Sequence, residues 1–222
     1  MAGIGFVLRK LTRQDNLFGL VRGFAHSALA SNGPWLFTIL SLGSVTLLGA
    51  QVMALEDLVE FRLIIVYNFG MSLVMSGPVL MVVTRTLADL IFDKDVVRAT
   101  GVLMAAGLIM LSTQLPVAIG VYVLYADLSA PMRMAAIANF LLVSGLWLVS
   151  VYLTALKDYR AITLAFGLGM VVAALAGGLL AEPFGAVGML FGFNAGVGLI
   201  FAMLMAKILA EYPYPPTQLR WV

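Results

Sequence analysis

The side chains able to do chemistry in this chain are few, and most sit in apolar surroundings. Asn68, Ser72 and Ser76 recur at i, i+4 and i+8, which makes one polar stripe along a helix. Asn139, Trp147, Asn194 and, nearer the N-terminus, Asn32 place amides and an indole in other apolar blocks. In a hydrocarbon layer such groups either hydrogen-bond between helices or line a water-filled cavity. The spacing admits both, so these seven residues are the candidates for a substrate cavity. Trp147 likewise reads as a packing side chain or as a stacking platform for the apolar face of a sugar ring.

Other chemistries are poorly supplied. The chain has no cysteine and one histidine, His26, so thiolate chemistry is excluded and no metal site or cofactor is expected. A Ser–His pair would need His26 to meet a serine, and no serine has the glycine pattern of a nucleophile elbow. No phosphate-cradling GxxxxGK[ST] is present, and no nucleic-acid partner is expected. Catalytic residues are therefore not assigned, and the chain reads as a non-enzyme. No Asp, Glu, Lys or Arg falls in the middle third of any apolar block, which disfavours a proton-coupled pump. Arg85 and Asp89 stand four apart at the end of one block and can pair across a helical turn.

The elements that must carry these residues follow from composition. Of 222 residues, 62% are hydrophobic and 11% charged, with a mean hydropathy of +1.05. Soluble domains carry about 25% charged residues, so lipid is the expected solvent. A spanning helix needs about 20 apolar residues, and six blocks qualify: 27–54, 63–84, 99–126, 134–156, 161–181 and 184–206. None shows the strict alternation of a barrel strand. The expected division is an interfacial segment over 1–24, a six-helix bundle over 25–210 and a Pro-rich tail over 211–222. Pro78 should bend the second block, and Ser31-Asn32-Gly33-Pro34-Trp35 should break the first.

Charge fixes the expected orientation. Arg9, Lys10, Arg13, Arg22, Arg85, Lys94, Arg98, Lys157, Arg160, Lys207 and Arg220 fall on one set of connections, and only Arg62 and Arg133 on the other. Basic residues stay cytoplasmic, so both termini are expected inside. The opposite connections hold Glu56, Asp57, Glu60, Asp127 and Glu182, which the mirror of the charge rule accounts for. Ala165, Gly169, Ala173, Gly177 and Ala181, facing Gly188, Gly192 and Gly196, put a small residue at every fourth position. That period lets two helix backbones approach closely, so a tight hairpin between the last two helices is expected.

Several short motifs carry a family resemblance. Met1-Ala2-Gly3-Ile4-Gly5-Phe6, Leu8-Arg9-Lys10-Leu11, Leu17-Phe18-Gly19-Leu20 and Ser31-Asn32-Gly33-Pro34-Trp35 resemble the start of the PelG-type exopolysaccharide exporters. Glu211-Tyr212-Pro213-Tyr214-Pro215 is similar to the segment between that family's two halves. The resemblance implies an all-α integral membrane protein, a six-transmembrane-helix bundle like one half of a MOP-type (MATE-like) flippase, multi-pass in the bacterial inner membrane. It implies alternating access about a central cavity, with an amino-sugar polymer as substrate. Implied partners are the lipid bilayer, a cytoplasmic glycosyltransferase and other inner-membrane components of the Pel machinery, and a second six-helix half or a homodimer mate. Glu56, Asp57 and Glu60 would suit such a polymer as it emerges. A small-molecule antiporter of the same fold is the alternative, as are an intramembrane enzyme centred on His26 and a scaffold for cytoplasmic partners.

Overall fold

A computed structural model describes residues 37–156 and 158–212. The segment 1–24, His26, the Ser31–Trp35 break, Asn32 and the prolines beyond Tyr212 lie outside the described residues. Within them every regular element is helical: α1 (Phe37–Gly49), α2 (Leu55–Phe92), α3 (Ala99–Ile119), α4 (Ala130–Leu156) and α5 (Tyr159–Glu211). A 3-10 turn, Val96–Arg98, precedes α3, and a π-helical stretch, Gly120–Tyr125, continues it. Four of these are long and apolar enough to cross a membrane, namely α2, α3 with its π continuation, α4 and α5. The chain is a helical membrane protein. In lipid a backbone must satisfy its own N–H and C=O groups, and a helix does so within one segment.

The helices outrun the apolar blocks from which they were expected. α2 begins eight residues before Leu63 and continues to Phe92, passing through Pro78 without a break. Acidic Glu56 and Asp57 occupy its first turn, where carboxylates offset the positive end of the helix dipole. At its other end Lys94 takes φ 59°, and Asp95 N–H bonds Leu90 O at 2.9 Å while Lys94 N–H reaches Ile91 O at 3.3 Å. This pair of bonds is the Schellman arrangement, which satisfies the last carbonyls of α2.

α5 contains two of the expected apolar blocks in one element of 53 residues. Gly185, at φ 59° and ψ −147°, is the non-helical point inside it, in a region that only glycine visits freely. Beyond it the chain returns along the arm before it. A Cβ placed on Gly192 would meet Gly177 N and sit 2.6 Å from Ala176 O, and one on Gly169 would lie 2.7 Å from Gly196 O. The stripe of small residues is therefore a backbone-to-backbone contact between the two arms, 159–184 and 186–211. Asp158 caps the first arm by accepting a bond from Ala161 N–H at 3.1 Å, and Lys207 near the end of the second lies 3.5 Å from the same carboxylate.

The remaining helices assemble around this hairpin. α4 packs broadly against both α2 and α5, and α3 lies against α2 and α4. α1 follows the first arm, with Ser41 Oγ donating to Met170 O at 3.0 Å. Phe61 and Phe193, both fully buried, meet edge to face at 6.2 Å and join α2 to the second arm. The opposite end is closed by tyrosines. Tyr152 donates to Ala99 O at 3.0 Å, and Tyr212, the extended residue that ends α5, packs edge-on against it at 5.9 Å. Burial, and next the Glu211 carboxylate, push the Tyr212 phenol above its usual pKa.

The glycines differ sharply in what they do. Gly192→Ala should destabilise the bundle by about 1–3 kcal/mol, because the new methyl meets backbone that cannot give way. Gly198→Ala, with nothing within 4 Å of the new methyl, should be neutral or stabilising by up to about 1 kcal/mol. Unfolding of the two variants in detergent micelles checks this, and equal stabilities would contradict a close-packed hairpin.

Candidate functional site

The polar side chains of the apolar helices meet one another in the middle of the bundle. Asn68 on α2 donates through Nδ2 to Asn139 Oδ1 on α4 at 2.9 Å and to Ala136 O at 3.0 Å. Asn139 Nδ2 donates in turn to Asn194 Oδ1 on the second arm of α5 at 2.7 Å. Asn194 Nδ2 returns to Ala135 O at 2.8 Å. From the other side Tyr122, in the π stretch, donates its hydroxyl to Asn68 Oδ1. The row runs Tyr122–Asn68–Asn139–Asn194, and Asn68, Asn139 and Asn194 are 1%, 0% and 7% exposed.

The other two residues of the α2 stripe bond to different helices. Ser72 Oγ accepts from Trp147 Nε1 at 3.1 Å and donates to Phe69 O at 3.2 Å. Ser76 Oγ accepts from Gln114 Nε2 on α3 at 3.0 Å. Five residues singled out in sequence, Asn68, Ser72, Ser76, Asn139 and Asn194, are thus buried and hydrogen-bonded between or within helices. Mutual bonding is what amides and hydroxyls require in hydrocarbon, where an unmet polar group costs several kcal/mol.

Trp147 is partly buried and stands edge-on to Phe69 at 6.4 Å. The space beside it, lined by Thr38, Phe69, Val143, Ser150 and Phe166, is about 30 Å³. That holds about one water, so no sugar ring fits against the indole in this arrangement. A larger cleft of about 420 Å³ opens between α3, α4 and the second arm, walled by Leu103, Met104, Met110, Leu148, Phe201 and Met205. Gln114 also lines it, with Oε1 buried and without a partner among the described residues. Exchanging the amide's O and N would leave its nitrogen in that position instead.

The charged candidates stay apart from this interior. Arg85 Nε lies 3.3 Å from Asp89 Oδ2, and both side chains are exposed at 82% and 62%. A pair so solvated contributes little stability. Glu56 and Asp57 are exposed at the opposite end of α2, with Glu60 half-buried one turn on. Among the described residues no three His, Cys, Asp or Glu side chains come together as a metal site would require.

Tyr122 and Tyr152 escaped the sequence reading. A tyrosine in an apolar block looks like any other large side chain until its hydroxyl is seen to have a partner. The π stretch is equally silent in sequence, beyond the spacing of Pro116 and Gly120.

Asn139 sits between two partners, so Asn139→Ala should cost about 2 kcal/mol, while Ser144→Ala, whose hydroxyl only returns to Phe140 O at 2.8 Å, should cost under about 1 kcal/mol. A double-mutant cycle of Asn68→Ala with Asn139→Ala, read by unfolding in bicelles, should show coupling. Additive losses would mean the two amides do not bond.

No curated protein and no solved structure matches the sequence. The family model described as "PelG: Putative exopolysaccharide Exporter (EPS-E)" matches residues 1–221. A bundle of apolar helices fastened by internal polar bonds, joined to a family match over essentially the whole chain, means that this protein belongs to the PelG family of exopolysaccharide exporters.

Proposed function

We propose that the chain is a membrane subunit of a bacterial Pel-type exopolysaccharide export machine, and that it helps move an amino-sugar polymer from cytoplasm to periplasm. The family match over residues 1–221 is the observation that carries this reading. In it the chain crosses the inner membrane six times, with both ends cytoplasmic. The two arms of α5 are separate crossings, and α1 is part of the first.

The polar interior supports a framing role. Asn68, Ser72, Ser76, Asn139, Trp147 and Asn194 hold helices to one another through hydrogen bonds in the interior. The passage then forms against a second bundle, from another half or another copy, in the manner of a MOP-type flippase. α2 offers an outward surface for that contact, with Val66, Tyr67, Val74 and Met81 between 58% and 78% exposed. A cytoplasmic glycosyltransferase supplies the polymer, and the Arg85–Asp89 pair lies at the end of the bundle where it would dock.

Glu56, Asp57 and Glu60 lie at the proposed exit. Clustered carboxylates raise the local concentration of a polycation, which suits an amino-sugar chain leaving the membrane. Deleting the chain from its host should abolish secreted polysaccharide while polymerisation inside the cell continues. Undiminished secretion would reject the export reading. Replacing Glu56→Gln, Asp57→Asn and Glu60→Gln together should lower secretion severalfold at normal protein level. Full secretion by that triple variant would remove the electrostatic part alone.

A further inference from the structure

The end of α3 departs from ordinary helix at one place, and a single side chain ties it there. Gly120–Tyr125 is π-helical, and Ala126 N–H bonds Val121 O at 3.0 Å, five residues back. π turns are rare and occur mostly as short insertions within α-helices, so an isolated one needs a compensating contact. Tyr122 is the buried residue of the stretch, 7% exposed, and its hydroxyl bonds Asn68 Oδ1. Val121 and Ala126 touch the core from its two ends, while Val123, Leu124 and Tyr125 are exposed at 45%, 76% and 88%, so Tyr122 makes the one side-chain hydrogen bond shown for the segment.

Two neighbouring residues ease a change of winding. Pro116 removes a backbone donor one turn before the π stretch. Gly120 has φ −55° and ψ −49°, which any residue adopts, and a Cβ there would meet nothing within 4 Å. Neither conformation nor close packing calls for glycine at this point. What glycine adds is backbone that unwinds more easily than alanine would.

We propose that Gly120–Tyr125 is a two-position catch at the end of α3. In the position seen here the Tyr122 hydroxyl is seated on Asn68 and the turn is π. In the other the hydroxyl leaves Asn68 and the turn rewinds as α-helix, which removes the extra residue and rotates the face that carries Leu124 and Tyr125. Asn68 is bonded to Asn139, and Asn139 to Asn194, so the seat of the catch is held in place by α2, α4 and the second arm of α5 in either position. The catch is a property of the bundle and stands whether or not the export reading does.

Backbone hydrogen exchange on the full chain in nanodiscs tests this with two variants. Tyr122→Phe keeps the ring and removes the hydroxyl, and should speed exchange of amides 121–126 by about tenfold. Exchange in α2 around Asn68 and in α4 around Asn139 should stay within about twofold of the parent. Gly120→Ala, which has room for its methyl, should slow exchange of the same amides by about fivefold. Unchanged rates at 121–126 in either variant would overturn the catch. So would acceleration by Tyr122→Phe spread evenly through the helices, which would make the hydroxyl part of the general packing. If Tyr122→Phe fails to assemble, the result for Gly120→Ala decides the matter.

Discussion

A hydrogen-bonding group placed in hydrocarbon has to find its partner inside the protein, and the arrangement of this bundle follows from that requirement. Asn139 is the clearest instance. It is fully buried, it accepts from Asn68 and it donates to Asn194, so its one amide joins α2, α4 and the second arm of α5. Apolar side chains alone would leave these helices free to slide or rotate, because lipid tails are as good a neighbour as another leucine. The asparagine row sets their register, since a turn of any one helix would strand an amide. The carbonyls of Ala135 and Ala136 take the remaining donors, which ties the row to the backbone of α4.

Close packing supplies the second constraint, and it acts where polar groups are absent. The arms of α5 meet through glycine and alanine, so their backbones come within van der Waals distance and gain dispersion contacts that larger residues would prevent. Gly185 permits the reversal, and the ion pairs of Lys207 with Asp158 and Glu211 sit at the far ends of the two arms. Half-exposed pairs of this kind add little energy. The tyrosine contacts at the same end, Tyr152 on Ala99 and Tyr212 on Tyr152, are buried and fasten α3, α4 and α5 together more firmly.

An interior bonded in this way constrains any account of transport. The side chains that a membrane conduit would use are already partnered with one another, and the space beside Trp147 is the size of a water molecule. Among the described residues, Gln114 Oε1, Arg133 Nε and the Tyr212 hydroxyl are buried without a hydrogen-bond partner, and the first of these lies on α3, which ends in the π turn.

The sequence by itself determined the class of protein, because hydrophobic content and block length are additive properties that need no knowledge of contacts. It also determined the tight hairpin of α5, since a four-residue period of small side chains has one physical use between helices. Asn68, Ser72, Ser76, Asn139 and Asn194 were all legible as interior polar groups. Which amide meets which was decided only by the tertiary structure, because a stripe at i, i+4 and i+8 fixes a helix face and not the helix opposite. The structure also divided that stripe, sending Asn68 to α4, Ser72 to Trp147 and Ser76 to Gln114. Tyr122 and its π turn belong wholly to the tertiary level. One extra residue per turn leaves no mark on composition or periodicity, and its stability rests on a partner 54 residues away in the chain.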